Sequence, residues 1–204
     1  MGIEWRAHCS RSTLQTPPPF KITVCGIEEL PSHNEVGVSH VLSILDPDWP
    51  VPDAFGTFAR HEKLELRFHD VIEETPGMIA PDEDHVARLL AFGHTLAEMP
   101  AGAGHLLVHC HAGVSRSTAS MALILAQAMP GASASDIMQT VLRIRWKAWP
   151  NLRIVEIGDA MLGRGGALAA AAVPLYRTQL SRRPDLAAIM TAGGRAREVL
   201  AAGL

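Results

Sequence analysis

The 204-residue sequence has no excess of charge of one sign and no long apolar run. Its 18 lysine and arginine residues stand against 21 aspartate and glutamate residues, a balance that gives no reason to expect binding to nucleic acid or to an anionic membrane. No apolar stretch approaches the length of a membrane span, and the N-terminus lacks the charged start, apolar centre and small-residue exit of a signal peptide. We therefore expect a soluble, cytoplasmic protein that binds neither nucleic acid nor membranes.

Cysteine is scarce as well. The three cysteines, Cys9, Cys25 and Cys110, are dispersed and odd in number, which argues against a disulfide framework. A reducing cytoplasm suits such a chain, because it keeps a thiol free to react. At this length we expect one globular domain with a sizeable core.

Three segments differ in composition. Residues 1–19 are polar, irregular and close on three prolines, so we interpret them as an N-terminal tail. Residues 20–163 alternate between strand and helix patterns, which predicts an α/β domain. The predicted strands are residues 21–27, 38–45, a strand ending at Phe68 and 106–108, and the predicted helices are residues 81–99, 117–129, 133–147 and 151–161.

Residues 164–204 are rich in alanine, which favours helix. No residue pattern in this segment indicates chemistry, so we interpret it as a C-terminal helical extension or tail. Its apolar content favours burial, against the core or in a homodimer.

One segment has the residues expected of a catalytic loop: His109-Cys110-His111-Ala112-Gly113-Val114-Ser115-Arg116-Ser117-Thr118. It lies between a short apolar strand and a helix-forming run, so Cys110 is predicted at a strand-to-helix turn. There the first helix amides lack intrahelical partners and the helix dipole adds positive charge, which favours a bound phosphate. The same field, with the Arg116 guanidinium, favours a nucleophilic thiolate at Cys110.

Other residues of this loop have supporting roles. Arg116 has a planar fork that can hold two phosphoryl oxygens, and Gly113 lets the loop close without a side chain in the way. The Ser117 hydroxyl is predicted to donate to the cysteine sulfur when that sulfur leaves phosphorus. An ordinary His111 imidazole would be partly positive near pH 6 to 7, and would add charge to the loop.

Two simpler interpretations of the loop are a buried structural cysteine and a metal site. A lone cysteine after a strand is most often a buried hydrophobe, but Arg116 and the small loop residues favour a reactive one. The cluster of His105, His109, Cys110 and His111 is not spaced like a zinc site, since Cys110 points away from the strand face of its neighbours. We expect no metal and no other cofactor.

The loop resembles the H-C-x-x-G-x-x-R-S/T signature of the cysteine-dependent protein-tyrosine phosphatases, and A-G-V-S-R-S is most like the dual-specificity branch. The resemblance implies a central mixed, mostly parallel sheet flanked by helices, a phosphocysteine intermediate on Cys110 and a separate aspartic general acid. It also implies that substrate phosphate is bound by His111, Ala112, Gly113, Val114, Ser115 and Arg116. Downstream, Arg145, Ala148, Pro150 and Asn151 match the family's Arg-x-x-Ala-x-Pro-Asn segment, and Asn151 is a candidate helix cap.

The predicted general acid is Asp70, which follows a strand pattern and precedes a loop with Pro76, Gly77 and Pro81. Asp53 is a weaker rival, in a segment that faintly resembles the Trp-Pro-Asp loop of the tyrosine-specific branch. Glu73 and Glu74 are rivals if the register of the loop differs.

The predicted function is hydrolysis of phosphomonoesters, on phosphotyrosine and on phosphoserine or phosphothreonine of proteins or on a small aryl phosphate. The loop has no lysine for extra phosphates, which makes inositol lipids weaker candidates. Two alternatives stay open: a phosphoprotein-binding module with little catalysis, and another chemistry of the same loop, such as sulfur transfer or arsenate reduction.

Overall fold

A computed structural model describes residues 17–34, 37–100 and 102–203 of the chain. The predicted N-terminal tail, except for its last three prolines, and Cys9 lie outside the described residues.

Four short strands form one sheet. They are β1 (Lys21–Cys25), β2 (His40–Leu45), β3 (Glu62–Arg67) and β4 (His105–His109), in the spatial order β1-β4-β2-β3. Every strand pairing among the described residues is parallel, which confirms the predicted α/β fold with a mostly parallel sheet and leaves no antiparallel strand there to make it mixed. Since β4 lies between β1 and β2, the loop that follows β4 emerges at the centre of the carboxyl edge, where open α/β sheets bind ligands.

Seven α-helices and two 3-10 helices are described. The α-helices are α1 (Glu83–Ala97), α2 (Arg116–Ala128), α3 (Ala134–Ile144), α4 (Leu152–Met161), α5 (Ala167–Arg182), α6 (Leu186–Ala192) and α7 (Ala196–Ala201), and the 3-10 helices are Ile27–His33 and Asp53–Thr57. Three α-helices begin where a side chain accepts a backbone amide of the first turn: Asp82 before α1, Ser133 before α3 and Asn151 before α4. None of the described helices is long and apolar enough to cross a membrane.

Helix α2 is the central element of the core, with every residue from Arg116 to Ala126 buried. It is crossed closely by α4 at Gly158, where an added Cβ would lie 2.8 Å from Leu123 Cγ. Because α2 is surrounded in this way, the position of its first turn, which ends the loop after β4, is closely constrained.

The C-terminal segment packs on the same core. Leu168, Leu175, Tyr176, Leu180 and Val199 belong to the main cluster of buried apolar residues, together with residues of the sheet and of α2. The chain thus buries much of this segment's apolar surface in its own core, so its apolar content no longer points to a homodimer.

Candidate active site

The candidate site is the loop of residues 110–116, called the phosphate loop below, which joins β4 to α2. The first bond within α2 runs from the Ala119 amide to the Ser115 carbonyl, so the amides before it have no partner inside the helix. The end of β1 lies alongside, with the Ile27 amide donating to the His111 carbonyl at 3.0 Å. This is the strand-to-helix turn that the sequence predicts.

Two glycines allow that close approach. Gly113 has a φ of 65°, and a Cβ there would lie 2.6 Å from the Gly26 nitrogen. A Cβ on Gly26 would lie 2.8 Å from the His111 carbonyl oxygen. Both positions therefore require glycine, Gly113 for its backbone conformation as well as for space.

Cys110 is 2% exposed, and its Sγ lies 3.2 Å from the Oγ of the fully buried Ser117. A hydroxyl at this distance can donate to a thiolate. The two predicted partners are therefore brought together as the loop pattern indicated.

Among the described residues, the hydrogen bonds that hold Arg116 come from its Nη1 nitrogen. Its Nη1 donates to Asp46 Oδ1 at 2.7 Å and to the Phe68 carbonyl at 2.6 Å. Its Nε is buried and has no hydrogen-bond partner among the described residues. Sequence reasoning missed Asp46, although its position directly after β2 at the carboxyl edge of the sheet was a usable signal.

Asp70 lies beside the phosphate loop. Its Oδ1 accepts hydrogen bonds from Ser115 Oγ at 2.7 Å and Asn151 Nδ2 at 2.8 Å, and its side chain is 32% exposed. Ser115, predicted to bind phosphate, thus directs its hydroxyl to Asp70. Asn151 caps α4 as predicted, and its amide nitrogen also holds Asp70.

The rival acids have other surroundings. Glu73 pairs with Arg197 at 2.7 Å, and Glu74 pairs with Arg153. Asp53 is the first residue of the second 3-10 helix, and within the described part of the chain it makes no hydrogen bond or ion pair with the phosphate loop.

Arg145 braces the loop from outside. Its Nε donates to the Gly113 carbonyl at 2.9 Å, and its Nη2 donates to the Ala112 carbonyl at 3.1 Å and to Glu29 at 2.6 Å. Burial by itself would raise the pKa of Glu29, but Arg145 and the Gly26 amide hold it below the ordinary value. Arg145 therefore turns two loop carbonyls away from the loop's interior, and Glu29 stays charged to hold it.

Two histidines at the loop have lowered pKa values. Burial lowers the pKa of His109 from 6.5 to about 4, and the ring bonds Ser43 Oγ at 2.8 Å. Burial and Arg116 also lower the pKa of His111, although Asp46 and Asp70 oppose the shift. Burial and the charge of Arg116 both disfavour the imidazolium, so they weaken the expectation of a partly positive His111 near pH 6 to 7.

A cleft of about 390 Å³ borders the loop at His111 and Ala112 and extends to Trp49 and Lys147. The Trp49 ring is 45% exposed and lies 4.4 Å, centroid to centroid, from the His111 ring. Of the other tryptophans near the loop, Trp149 is buried in the core and Trp146 is 66% exposed. Among the described tryptophans, Trp49 is the one that lines this cleft beside the loop.

No protein-family model and no curated protein matches the chain, but solved structures do. Human DUSP28 is similar with a TM-score of 0.52 and 18% identity, over 72% of this chain and 96% of that one. The human tyrosine phosphatase-like serine/threonine/tyrosine-interacting protein is similar with a TM-score of 0.50 and 21% identity, over 69% and 87%. Tk-PTP in its active form has a TM-score of 0.50 and 16% identity, over 72% and 94%. The chain has the dual-specificity phosphatase fold.

The resemblance drawn from the loop is thereby confirmed at the level of the fold. The dual-specificity phosphatase fold accounts for nearly the whole of DUSP28 but for 72% of this chain. More than a quarter of the chain therefore lies outside the likeness to that structure.

Proposed function

We propose that the protein is a cysteine-dependent phosphatase that hydrolyses phosphomonoesters through a phosphocysteine intermediate. The observation that carries the proposal is the state of Arg116. Its Nη1 is occupied by Asp46 and Phe68, whereas its buried Nε is unpartnered among the described residues, at the end of a loop that holds a cysteine. A buried donor without a partner costs about 1–3 kcal/mol, and a phosphoryl oxygen would satisfy it.

In the first step of the proposed reaction, the Cys110 thiolate attacks phosphorus and the bond from phosphorus to the ester oxygen breaks. Asp70, protonated, gives its proton to the leaving oxygen. The loop amides and Arg116 bear the charge on the phosphoryl oxygens during the transfer.

In the second step, water attacks the phosphocysteine and Asp70, now a carboxylate, accepts the proton of that water. The bond from sulfur to phosphorus breaks, with the Ser117 hydroxyl donating to the sulfur as it leaves. The 3.2 Å separation of Cys110 Sγ and Ser117 Oγ supports this role. Inorganic phosphate is released and the thiolate is restored.

We propose that aryl phosphates, phosphotyrosine included, are the preferred substrates. The exposed Trp49 ring beside the phosphate loop offers a face on which a phenyl ring can pack, and such pairs contribute about 0.5–1.5 kcal/mol beyond burial. Phosphoserine and phosphothreonine have no ring to place there.

The loop chemistry of arsenate reduction is less well supported. It generally needs accessory thiols, and Cys25 is fully buried. Burial raises the pKa of Cys25 to about 12, so this cysteine stays a thiol that a substrate does not reach.

The deciding experiment measures hydrolysis of p-nitrophenyl phosphate by the wild type, Cys110→Ser and Asp70→Asn, with vanadate as inhibitor. We expect vanadate-sensitive turnover by the wild type, none by Cys110→Ser, and a loss on the order of 10²–10⁴ for Asp70→Asn. An active Cys110→Ser protein would overturn the proposal, and an Asp70→Asn protein near the wild-type rate would move the general acid to Asp53. A wild type that binds phosphopeptides without hydrolysing them would instead be a phosphoprotein-binding module.

A further inference from the structure

A buried ion pair from the C-terminal segment lies behind the phosphate loop. Arg195, just before α7, is 5% exposed, and Glu198, within α7, is fully buried. The guanidinium binds the carboxylate with two parallel hydrogen bonds, Nε to Oε2 at 2.8 Å and Nη2 to Oε1 at 2.6 Å. Nothing in the loop signature or in the segment from Arg145 to Asn151 predicts either residue.

Glu198 is held from the opposite side by the rest of the fold. Its Oε2 accepts from Trp149 Nε1 at 2.6 Å and its Oε1 accepts from the Leu152 amide at 2.9 Å. With four donors, the carboxylate is fully satisfied, as a buried charge must be. Glu198 thus fixes Arg195 against the start of α4.

The nitrogen of Arg195 that Glu198 leaves free reaches the candidate active site. Its Nη1 donates to Ser115 Oγ at 2.6 Å and to Asp70 Oδ1 at 3.2 Å. Because a guanidinium can only donate, Ser115 accepts from Arg195 and uses its own proton to donate to Asp70. The donors form one directed chain that ends on Asp70.

All these contacts fall on one carboxylate oxygen. Oδ1 accepts from Ser115, Asn151 and Arg195, whereas Oδ2 accepts no hydrogen bond from the described residues. A carboxylic acid carries its proton on one oxygen and accepts with the other. Three donors on Oδ1 therefore leave Oδ2 as the oxygen that carries the proton.

We propose that Arg195 is a positioning residue for the general acid, which it orients by holding Oδ1 of Asp70 directly and through Ser115. The inference rests on the proposed function. In the proposed reaction the proton leaves Oδ2 for the ester oxygen and returns to Oδ2 from water, while Arg195 keeps all its protons. Glu198 balances the charge of Arg195. The guanidinium beside Asp70 is therefore part of a buried ion pair and not an isolated buried cation.

The test compares Arg195→Met with Arg197→Met, an exposed arginine within α7 that pairs with Glu73 and Glu156 and does not contact Asp70. Turnover is measured on aryl phosphates whose leaving phenols differ in acidity. A poorly placed general acid matters most for the least acidic phenol. We expect Arg195→Met to lose about tenfold or more on phenyl phosphate and less than about threefold on p-nitrophenyl phosphate, with Arg197→Met near wild type on both.

A double-mutant cycle separates positioning from general damage. If Arg195 acts through Asp70, adding Arg195→Met to Asp70→Asn causes little further loss on phenyl phosphate, since the acid is already gone. Equal losses on both substrates, or losses that multiply in the double variant, would overturn the proposal.

Removing Arg195 alone leaves Glu198 buried without its cation, so Arg195→Met is at risk of not folding. The variant Arg195→Met/Glu198→Gln removes both charges, and Arg195→Lys keeps the pair with one compact donor group. The same pattern is expected from whichever of these retains a cooperative thermal transition.

A wild type inactive on every phosphate ester would refute the proposed function but not the positioning itself. Crystal structures of the wild type and of a folded Arg195 variant then decide: we expect the Asp70 side chain to leave its contact with Ser115 in the variant. An Asp70 carboxylate in the same rotamer and contacts in both would overturn the inference.

Discussion

Single side chains around the phosphate loop are held by several contacts each. Arg116 is fixed through Nη1 by Asp46 and a backbone carbonyl, and Asp70 is fixed through Oδ1 by three donors. In both side chains one polar atom forms hydrogen bonds and another has no partner among the described residues. In the proposed reaction, preorganisation of this kind lowers the cost of reaching the reactive geometry, because few side chains have to be ordered when substrate binds.

His109 makes the stability of the protein depend on pH. Its pKa is about 4 in the folded chain and 6.5 when unperturbed, so the unfolded chain binds more protons between these values. Neutral His109 therefore contributes to the free energy of unfolding above pH 6.5, and this contribution is lost as the pH falls towards 4. We expect about 2 kcal/mol of this loss between pH 7 and pH 5.

The measurement is the free energy of unfolding in urea at both pH values for the wild type and His109→Gln. Because glutamine does not titrate, the variant should lose about 2 kcal/mol less than the wild type over this range. If the free energy of unfolding of the two proteins changed equally with pH, the result would contradict the lowered pKa of His109.

Most elements could be predicted from the sequence because their ends carry local signals. Helix α1 was predicted at residues 81–99 and spans Glu83–Ala97, with Asp82 as its cap. Several ends differ from the prediction by two or three residues, and for two of them the structure shows a tertiary reason. Helix α3 stops at Ile144 and not at residue 147, since Arg145 leaves the helix to bind the loop carbonyls. Strand β1 stops at Cys25 and not at residue 27, since Ile27 turns to pair with His111.

Arg145 ties the end of α3 to the phosphate loop, because its guanidinium binds the carbonyls of Ala112 and Gly113. Arg145→Met frees the carbonyls of Ala112 and Gly113, and the loop amides should lose their common orientation. We expect kcat/KM on p-nitrophenyl phosphate to fall by about tenfold or more, as for the loss of preorganised donors.

Arg143→Met is the matched control. Arg143 lies in the last turn of the same helix and bonds Thr140, not the loop. We expect this variant to keep a kcat/KM close to the wild-type value. Equal effects of the two substitutions would indicate damage to α3 and not to the loop.

The C-terminal segment is part of the core of the whole molecule and reaches the candidate active site through Arg195. The alanine-rich sequence indicated helices there but gave no sign of the Arg195–Glu198 pair, since neither residue belongs to a recognisable pattern. The division of the chain into a domain of residues 20–163 and an extension of residues 164–204 stays a prediction. It is open to a direct test.

A chain that ends at residue 163 lacks Leu168, Leu175, Tyr176 and Leu180, all buried in the main core. Each contributes about 1.5–3 kcal/mol on burial, so their sum is comparable with the 5–15 kcal/mol stability of an ordinary domain. We therefore expect no cooperative thermal unfolding transition in the truncated chain by circular dichroism. A transition near the wild-type midpoint would show that residues 20–163 fold alone and that the segment is a separable extension.

The sequence by itself determined the α/β class, the position of Cys110 and Arg116 at the turn from β4 to α2, and Asp70 as the candidate acid, because these depend on local periodicity, turn residues and a short signature. Only the tertiary structure decided which nitrogen of Arg116 and which oxygen of Asp70 lack a partner among the described residues, and that Arg195 contacts Asp70. Contacts between residues as far apart in the chain as Asp70 and Arg195 arise from the packing of helices around α2, and no local pattern encodes them.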